Sequence, residues 1–253
     1  MESKEHKSLT VITVVRNSSL LIERTIKSVL LKPRVLVEYI VIDGDSDDGT
    51  KTIIESYQDS IDQYLSESDL GIYDAMNKGI NLATTDWILF LNAGDTFDPS
   101  FEISALDFKH PVGVEFLAFS YRIEDQENIY SPSLDIPFGM PSSHQALIVR
   151  AKVAKTHLFN LQYKVAADYD FFLSRVTRSD CPVRLYTELL SVVQPDGYSQ
   201  KNIHIMRQDY FKIILTRVGV FRAVQYYVWS RPLLYLWVTL LVPRAIIRRF
   251  RSN

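Results

Sequence analysis

The stretch that decides the fold is Tyr39-Ile40-Val41-Ile42-Asp43-Gly44-Asp45-Ser46-Asp47-Asp48-Gly49-Thr50. A short apolar run leads directly into acidic residues and glycines, and a helical pattern follows. This order is typical of a buried strand that delivers carboxylates to its carboxyl end, which is where open α/β sheets bind their ligands. The sequence therefore predicts an α/β fold with a ligand site beside Asp43.

A second stretch repeats this design. Residues 87–91 (WILFL) form another apolar run, and Asn92-Ala93-Gly94-Asp95 follow it. Two strands with acidic ends in one sheet indicate a site for a phosphorylated ligand and a divalent cation. The chain is therefore predicted to be an enzyme.

The pattern around these two strands alternates between strand and helix. Residues Leu9–Val15 are rich in β-branched side chains and predict the first strand, and apolar residues at helical spacing predict a helix near Ile22–Leu30, capped by Ser18 or Ser19. This alternation indicates a Rossmann-like, mostly parallel central sheet with right-handed crossovers and flanking helices. The other predicted strands are 37–42, 61–66, 87–91, 114–121 and 146–150, and the other predicted helices are 50–57, 72–83, 165–176 and 203–218.

Composition narrows the classes of function. Of the 253 residues, 47% are hydrophobic, which is ample for a full core, and the net charge of -2 gives no general reason to bind nucleic acid. The single cysteine, Cys181, excludes an internal disulfide and fits a reducing compartment. The polar residues 1–7 lack the apolar core of a signal peptide. We therefore expect no nucleic-acid partner and a cytoplasmic catalytic part.

The C-terminal segment differs from the rest of the chain. Residues 233–242 are apolar, and four arginines follow them, Arg244, Arg248, Arg249 and Arg251. The apolar run is shorter than the roughly 20 residues that span a bilayer. We expect residues 219–253 to be an amphipathic helical appendage to a domain of residues 1–218, with an anionic membrane surface as its partner. Packing on the domain and a dimer contact are the alternatives.

Six stretches together resemble the family 2 glycosyltransferases of the GT-A fold. Their order and spacing match this family over roughly residues 9–200. Within the family, the chain resembles the bacterial enzymes that build extracellular polysaccharide or O-antigen repeat units. The six stretches are residues 11–17 (VITVVRN), 23–29 (ERTIKSV), 39–44 (YIVIDG), 69–79 (DLGIYDAMNKG), 90–95 (FLNAGD) and 167–170 (ADYD).

The resemblance implies that a sugar moves from a nucleotide-diphosphate donor, a UDP-sugar being favoured, to a saccharide or lipid-linked acceptor, with inversion at the anomeric carbon. It also implies a divalent cofactor, Mn²⁺ or Mg²⁺, at Asp95, because hard cations prefer carboxylate and phosphate oxygens. The fuller family motif often has further acids where Asn92 and Gly94 stand here, so we expect weak metal binding without nucleotide. The residues implied for nucleotide and donor binding are Val15, Arg16, Asn17, Asp43, Asp69, Asn77, Asn92, Ala93 and Gly94.

The resemblance also implies a catalytic base. Asp168 matches the residue that takes the proton of the acceptor hydroxyl. Residues two apart on a helix point in different directions, so Asp170 is expected to cap or brace the helix if Asp168 acts as the base. Asp170, Arg175 and the pair His144-Gln145 are predicted to contact the acceptor or the diphosphate. The alternative is that both acids cap a core helix and that His144 is structural.

Two functions remain after this reasoning. The first is an inverting, metal-assisted glycosyltransferase of bacterial polysaccharide biosynthesis, peripheral at the inner face of the cytoplasmic membrane. The second is a scaffold that binds nucleotide sugars without turnover, which the thinned metal motif favours and the presence of both Asp95 and Asp168 opposes. A nucleotidyltransferase would want a glycine-rich, basic phosphate loop early in the chain, which is missing here. The sequence leaves the donor base and sugar, the linkage and the oligomeric state open.

Overall fold

The structure is a computed structural model that describes residues 7–106, 108, 113–134, 139–176, 182–195 and 197–229. Its strands are β1 (Leu9–Val15), β2 (Val37–Asp43), β3 (Gln63–Ser66), β4 (Trp87–Phe90), β5 (Thr96–Phe97), β6 (Phe116–Ile123), β7 (Ile129–Tyr130), β8 (Leu147–Arg150) and β9 (Val183–Val193). Its helices are α1 (Ile22–Leu30), α2 (Thr50–Glu55), α3 (Ile72–Leu82), α4 (Ala151–Thr156), α5 (Ala167–Val176), α6 (Tyr198–Lys201), α7 (Ile203–Arg217) and α8 (Val220–Trp229).

The strands form one mixed sheet in the order β3-β2-β1-β4-β8-β6-β9-β5, with β7 paired to β6. Strands β1 to β4 are parallel to their neighbours within this group, as their helical crossovers require. Further along, β8 runs antiparallel to both β4 and β6, and β5 antiparallel to β9, while β6 and β9 are parallel. The predicted α/β class is confirmed. The parallel pairs lie among strands β1 to β4 and between β6 and β9.

The register of the parallel half brings the predicted ligand loops to one edge. Val15 at the end of β1 lies opposite Asp43 at the end of β2, and Asp43 lies opposite Ser66 at the end of β3. Strand β4 pairs with β1 up to Phe90. The loops that follow β1, β2 and β4 therefore leave the sheet side by side.

Apolar side chains cover both faces of this sheet because successive residues of a strand point to opposite sides. On one face α1 contributes Ile22, Ile26 and Val29 to a buried cluster. On the other, α3 and α5 pack on the sheet, and a Cβ at Gly79 of α3 would lie 2.5 Å from Cγ2 of Ile12. Glycine at this position lets α3 contact β1 directly.

The C-terminal helices pack on the helix that carries Asp168. A third buried cluster joins α5, α7 and α8, and its members are Ala166, Tyr169, Ile213, Ile214, Ala223 and Tyr226. The predicted domain boundary between residues 218 and 219 falls between α7 and α8 and stays a prediction. No helix among the described residues is long and apolar enough to cross a membrane. The apolar and arginine-rich residues 233–251 lie outside the described residues.

The structure corrects two predictions about elements. The predicted serine caps of α1 are wrong, because the N-cap is Leu21 and the Ser18 carbonyl oxygen, rather than a serine hydroxyl, accepts the N–H groups of Leu21 and Ile22. Strand β9, with 11 residues, was not predicted. Its first half is largely exposed, so it has neither the continuous apolarity of a central strand nor a clear alternation.

Candidate active site

A cleft of about 350 Å³ opens beside the carboxyl end of β4. Five predicted site residues line it: Asn92, Asp95, His144, Gln145 and Asp168. The rest of its lining comes mainly from the start of α3, the ends of β6 and β9, and the segment 197–200. The cleft thus joins residues that are up to about half the chain apart in sequence.

Asp168 is held in the cleft through both of its carboxylate oxygens. Oδ1 accepts hydrogen bonds from the Tyr73 hydroxyl at 2.9 Å and from its neighbour's backbone, Tyr169 N, at 2.9 Å. Oδ2 lies 3.4 Å from Nδ1 of His144. Burial acts to raise the pKa of Asp168, but the hydrogen bonds with His144, Tyr73 and the Tyr169 backbone outweigh it and hold the pKa below its usual range. Asp168 is therefore ionised at neutral pH, as a proton acceptor must be.

Tyr73 donates one hydrogen to this arrangement. Its hydroxyl lies 2.9 Å from Asp168 Oδ1 and 2.9 Å from the carbonyl oxygen of Val165, so the two acceptors share the proton. Burial, and then the nearby Asp168 carboxylate, raise the pKa of Tyr73 well above its ordinary value. Tyr73 consequently stays protonated and acts as a donor.

Asp95 is buried more deeply than Asp168, with 3% of the residue exposed. Its Oδ2 accepts from Nε2 of Gln145 at 3.0 Å, and its Oδ1 accepts from the backbone N–H of Gln194 at 2.9 Å. Burial raises the pKa of Asp95, and these two hydrogen bonds act against that rise. A carboxylate oxygen has more than one acceptor position, so each oxygen retains capacity for a further partner.

Two consecutive residues connect the two carboxylates. His144 contacts Asp168 through Nδ1, and the next residue, Gln145, donates to Asp95. Nε2 of His144 lies 3.0 Å from Nδ2 of Asn92, whose backbone oxygen accepts the N–H of Asp95. The proton acceptor and the predicted metal ligand are therefore joined by a short chain of hydrogen bonds.

Gly94 shapes the loop that presents Asp95. Its φ of 102° lies in the left-handed region that favours glycine. A Cβ there would come within 2.6 Å of Cγ of Gln194, the residue whose backbone N–H binds Asp95. The Gly94 N–H donates to the hydroxyl of Thr25, which in turn donates to the Asp95 carbonyl oxygen. Gly94 thus acts on the site through backbone geometry.

The donor atoms around Asp95 fit a weakly held divalent cation. Oδ1 of Asn92 is buried without a hydrogen-bond partner among the described residues, and it is an oxygen ligand of the type that Mg²⁺ and Mn²⁺ accept. Across the described ranges no group of three or more His, Cys, Asp or Glu side chains could hold a metal ion. Asp95 and Asn92 thus offer side-chain oxygens to such a cation.

The other predicted donor-binding residues lie at the neighbouring strand ends, outside the lining of the cleft. Asp43 is fully buried, and its carboxylate accepts hydrogen bonds from the Ser46 N–H at 3.0 Å, the Ser46 hydroxyl and the Ser66 hydroxyl at 2.7 Å. Asn17, with a φ of 49°, links this turn to β1 through Ser46 Oγ and Asp47 N. Asp43 shapes the loop in this geometry, and its predicted role in nucleotide and donor binding stays a prediction.

Arg16 and Asp69 face each other across Gly44. A Cβ at Gly44 would lie 2.2 Å from Oδ2 of Asp69 and 3.4 Å from Cδ of Arg16, so any side chain there would displace the Asp69 carboxylate. Val15 is buried at the end of β1, and its carbonyl oxygen accepts the Gly44 N–H. Ala93 is half-buried between Asn92 and Gly94. Roles for these residues in donor binding remain predictions.

The structure gives Asn77 a different task from the predicted one. Its side chain donates to the carbonyl oxygen of Phe159 at 3.0 Å and accepts the N–H of Phe159 at 2.9 Å. Both groups are buried, so the amide satisfies a backbone that would otherwise lack partners. Asn77 thus anchors the segment after α4, and its predicted donor contact stays a prediction.

Asp170 and Arg175 are likewise engaged elsewhere. Asp170 is buried and forms a bidentate pair with Arg217, with Nε–Oδ1 and Nη2–Oδ2 distances of 2.6 and 2.9 Å. Arg175 pairs with Glu115, its Nε lying 2.7 Å from Oε2. Both side chains have protein partners, and their predicted contacts with the acceptor or the diphosphate stay predictions. The expected division between Asp168 and Asp170 agrees with this geometry, since one faces the cleft and the other braces α7.

Sequence reasoning missed two residues of the site. Tyr73 lies inside the stretch 69–79 that matches the family, but an aromatic residue at the start of a helix is normally expected to pack in the core. Gln194 contributes a backbone N–H, which no side-chain pattern can reveal. Residues 197–199 also line the cleft.

Comparison with known sequences identifies the family. Residues 10–147 match the sequence model of Glycosyl transferase family 2. An uncharacterized glycosyltransferase of Mycobacterium tuberculosis is 33% identical over 181 residues, covering 66% of this chain and 68% of that protein. A PGL/p-HBAD biosynthesis glycosyltransferase of Mycobacterium bovis is 32% identical over 145 residues, covering 53% and 56%. The chain belongs to glycosyltransferase family 2.

Solved structures share its GT-A fold. S. aureus TarS in complex with UDP superposes with a TM-score of 0.65 at 16% identity, covering 93% of this chain and 75% of that one. Mannosyltransferase PcManGT from Pyrobaculum calidifontis, in complex with GDP-Man and Mn²⁺, has a TM-score of 0.64 at 14% identity, covering 84% and 64%. Glucosyl-3-phosphoglycerate synthase from Mycobacterium tuberculosis, with Mn²⁺, UDP and glucosyl-3-phosphoglycerate, has a TM-score of 0.58 at 12% identity, covering 85% and 81%.

Proposed function

We propose that this protein is an inverting glycosyltransferase that moves a sugar from a UDP-sugar to a saccharide or lipid-linked acceptor in bacterial polysaccharide biosynthesis. The observation that carries the proposal is the cleft in which an ionised Asp168 and the buried Asp95 face the same space. Complexes of similar folds with UDP, UDP-GlcNAc and GDP-Man support a nucleotide-sugar donor. Two of these neighbouring proteins also carry Mn²⁺.

Asp168 acts as the general base in this proposal. Its carboxylate takes the proton of the acceptor hydroxyl as that oxygen forms a bond to the anomeric carbon. The bond from the anomeric carbon to the diphosphate breaks on the opposite side, and the nucleoside diphosphate leaves with its electron pair. Tyr73 and His144 keep the Asp168 carboxylate in one orientation while this occurs.

Asp95 and Asn92 would hold the divalent cation, Mn²⁺ or Mg²⁺. When bound, the cation would supply positive charge that stabilises the leaving diphosphate. Arg16, Asn17, Asp43 and Asp69 would position the nucleotide at the adjoining strand ends. We place the enzyme at the inner face of the cytoplasmic membrane, with residues 219–253 on an anionic lipid surface.

A catalytically inactive nucleotide-sugar-binding scaffold is the second candidate. It is favoured by the hydrogen bonds that already occupy both oxygens of Asp95. Against it stands Asp168, which is ionised and lines the cleft. The scaffold would bind donor and release no nucleoside diphosphate.

Nucleotide binding in the presence and absence of Mn²⁺ tests the proposal. Thermal shift would be measured with UDP, UDP-sugars, GDP and GDP-sugars on the wild type, on Asp95→Asn and on Asp98→Asn. Asp98 is a buried acid of similar exposure that accepts the N–H of Ser100 and lies outside the lining of the cleft, so its variant is the matched control. A Mn²⁺-dependent shift that is lost only in Asp95→Asn is expected. The absence of any nucleotide shift in the wild type would contradict the proposal.

A further inference from the structure

Helix α8 has an apolar inner face that is buried. Ala223 and Tyr226 lie three positions apart and pack against Ile213 and Ile214 of α7. This contact uses one side of the helix, which is how an amphipathic helix normally attaches to a protein. The opposite side would then be expected to be polar.

The outer face of α8 is also apolar. This face consists of Val220, Phe221, Val224 and Tyr227, whose residues are 68%, 51%, 51% and 39% exposed. Three of them recur at helical spacing, so they form one stripe along α8. The described part of α8 has two strongly polar residues, Arg222 and Gln225. A helix that is apolar on two faces needs a second apolar environment.

The charge of the chain changes where these helices begin. Asp209 is the last acidic residue, and eight basic residues follow it: Lys212, Arg217, Arg222, Arg231, Arg244, Arg248, Arg249 and Arg251. The whole chain has a net charge of -2, so this C-terminal part is basic on an otherwise acidic protein. A surface that combines exposed apolar residues with positive charge is complementary to anionic lipid headgroups above acyl chains.

We propose that the outer face of α8 docks on an anionic lipid bilayer. The inference deepens the proposed function, because it rests on a peripheral enzyme and names the surface that contacts the membrane. The charge of the sequence decides between occupants: every copy of the chain has the same basic C-terminal sequence, so two copies would repel one another there. A bilayer containing anionic lipid attracts this segment.

The docking helix is connected rigidly to the catalytic helix. Arg217 at the end of α7 forms its bidentate pair with Asp170 of α5, and Asp209 of α7 accepts the N–H of Val165 at 3.0 Å. The rings of Tyr169 and Tyr210 stack with centroids 4.2 Å apart. Docking through α8 therefore fixes the orientation of α5, and with it Asp168, relative to the bilayer surface.

Co-flotation of the full-length protein with vesicles tests this surface. The vesicles would contain phosphatidylcholine alone or phosphatidylcholine with phosphatidylglycerol, and the variants would be Val220→Asp with Val224→Asp, and Leu31→Asp as a control. Leu31 is 84% exposed after α1, so its variant adds the same charge at an exposed apolar site elsewhere. We expect the double variant to lower the partition coefficient on anionic vesicles by tenfold or more, because burial of one valine is worth about that factor.

The following outcomes support or overturn the proposed docking surface. Binding by the wild type and by Leu31→Asp, weakened in the double variant and absent on neutral vesicles, supports the docking surface. Equal binding by the double variant overturns it. The proposal is also overturned if the wild type is a dimer in size-exclusion chromatography with light scattering and the double variant is a monomer. That result would assign the outer face of α8 to a second copy of the chain. The donor-induced thermal shift is measured on the same samples. A retained shift in the double variant shows that its fold is intact. No shift in the wild type would count against the proposed function and would leave the vesicle result unaffected.

Discussion

The sequence predicts that Asn77 contacts the donor, whereas the structure shows it bound to the backbone of Phe159. Its amide makes two hydrogen bonds to the backbone of Phe159, and both residues are buried. In Asn77→Ala the Phe159 N–H and C=O lose their partners, and each unsatisfied group costs about 1–3 kcal/mol. Alanine recovers roughly 0.5 kcal/mol through its higher helix propensity. The free energy of unfolding should therefore fall by about 2–5 kcal/mol.

The assay for this prediction combines stability and donor affinity. In a protein of this size about 2–4 °C of melting temperature corresponds to each kcal/mol, so we expect a fall of roughly 5–15 °C. Asn202→Ala is the control, because that side chain makes one exposed hydrogen bond to Tyr198 and should change stability by at most about 0.5 kcal/mol. Donor affinity of Asn77→Ala, measured well below its melting temperature, should match the wild type. Unchanged stability with lost donor affinity would refute the reasoning and return Asn77 to the donor site.

Two further predictions concern the cleft. In His144→Gln the pKa of Asp168 should rise, because fewer hydrogen-bond partners then oppose the effect of burial. Since the base must be ionised, the acidic limb of the kcat/KM profile against pH should move to higher pH. An acidic limb at the wild-type pH would exclude the coupling of His144 to Asp168. In Gly94→Ala the added Cβ collides with Gln194 and the φ of 102° is strained, so stability should fall by about 1 kcal/mol or more, with weaker donor binding in calorimetry. Wild-type stability and binding in that variant would contradict the loop geometry.

The strands of the parallel half could be predicted because they carry their own signal. Strands β1, β2 and β4 are buried along their whole length, so each appears as a continuous apolar run. Strand β9 is mostly exposed in its first half and pairs with β6, more than 60 residues earlier in the chain. Its position depends on that distant partner, which local pattern does not contain.

The same limit applies to the site. Asp95 was found from its position after an apolar run and from the family match, Asp168 was found from the family match, and the cleft contains both. Asn77, Asp170 and Arg175 were predicted to contact ligands, Asn77 through the family match. Their structural partners lie 82, 47 and 60 residues away in sequence. A polar residue near a catalytic motif therefore cannot be assigned to ligand or scaffold until its tertiary partner is known.

The central claim, that Asp168 is the proton acceptor of a glycosyl transfer, is tested most directly by Asp168→Asn. The measurement is nucleoside-diphosphate release from the donor that binds, with a saccharide or lipid-linked acceptor, alongside donor affinity by calorimetry. We expect kcat to fall by about 10²–10⁴-fold while donor affinity stays within about twofold, because asparagine keeps the shape of the side chain and cannot take the proton. Turnover at the wild-type rate in this variant would contradict the account.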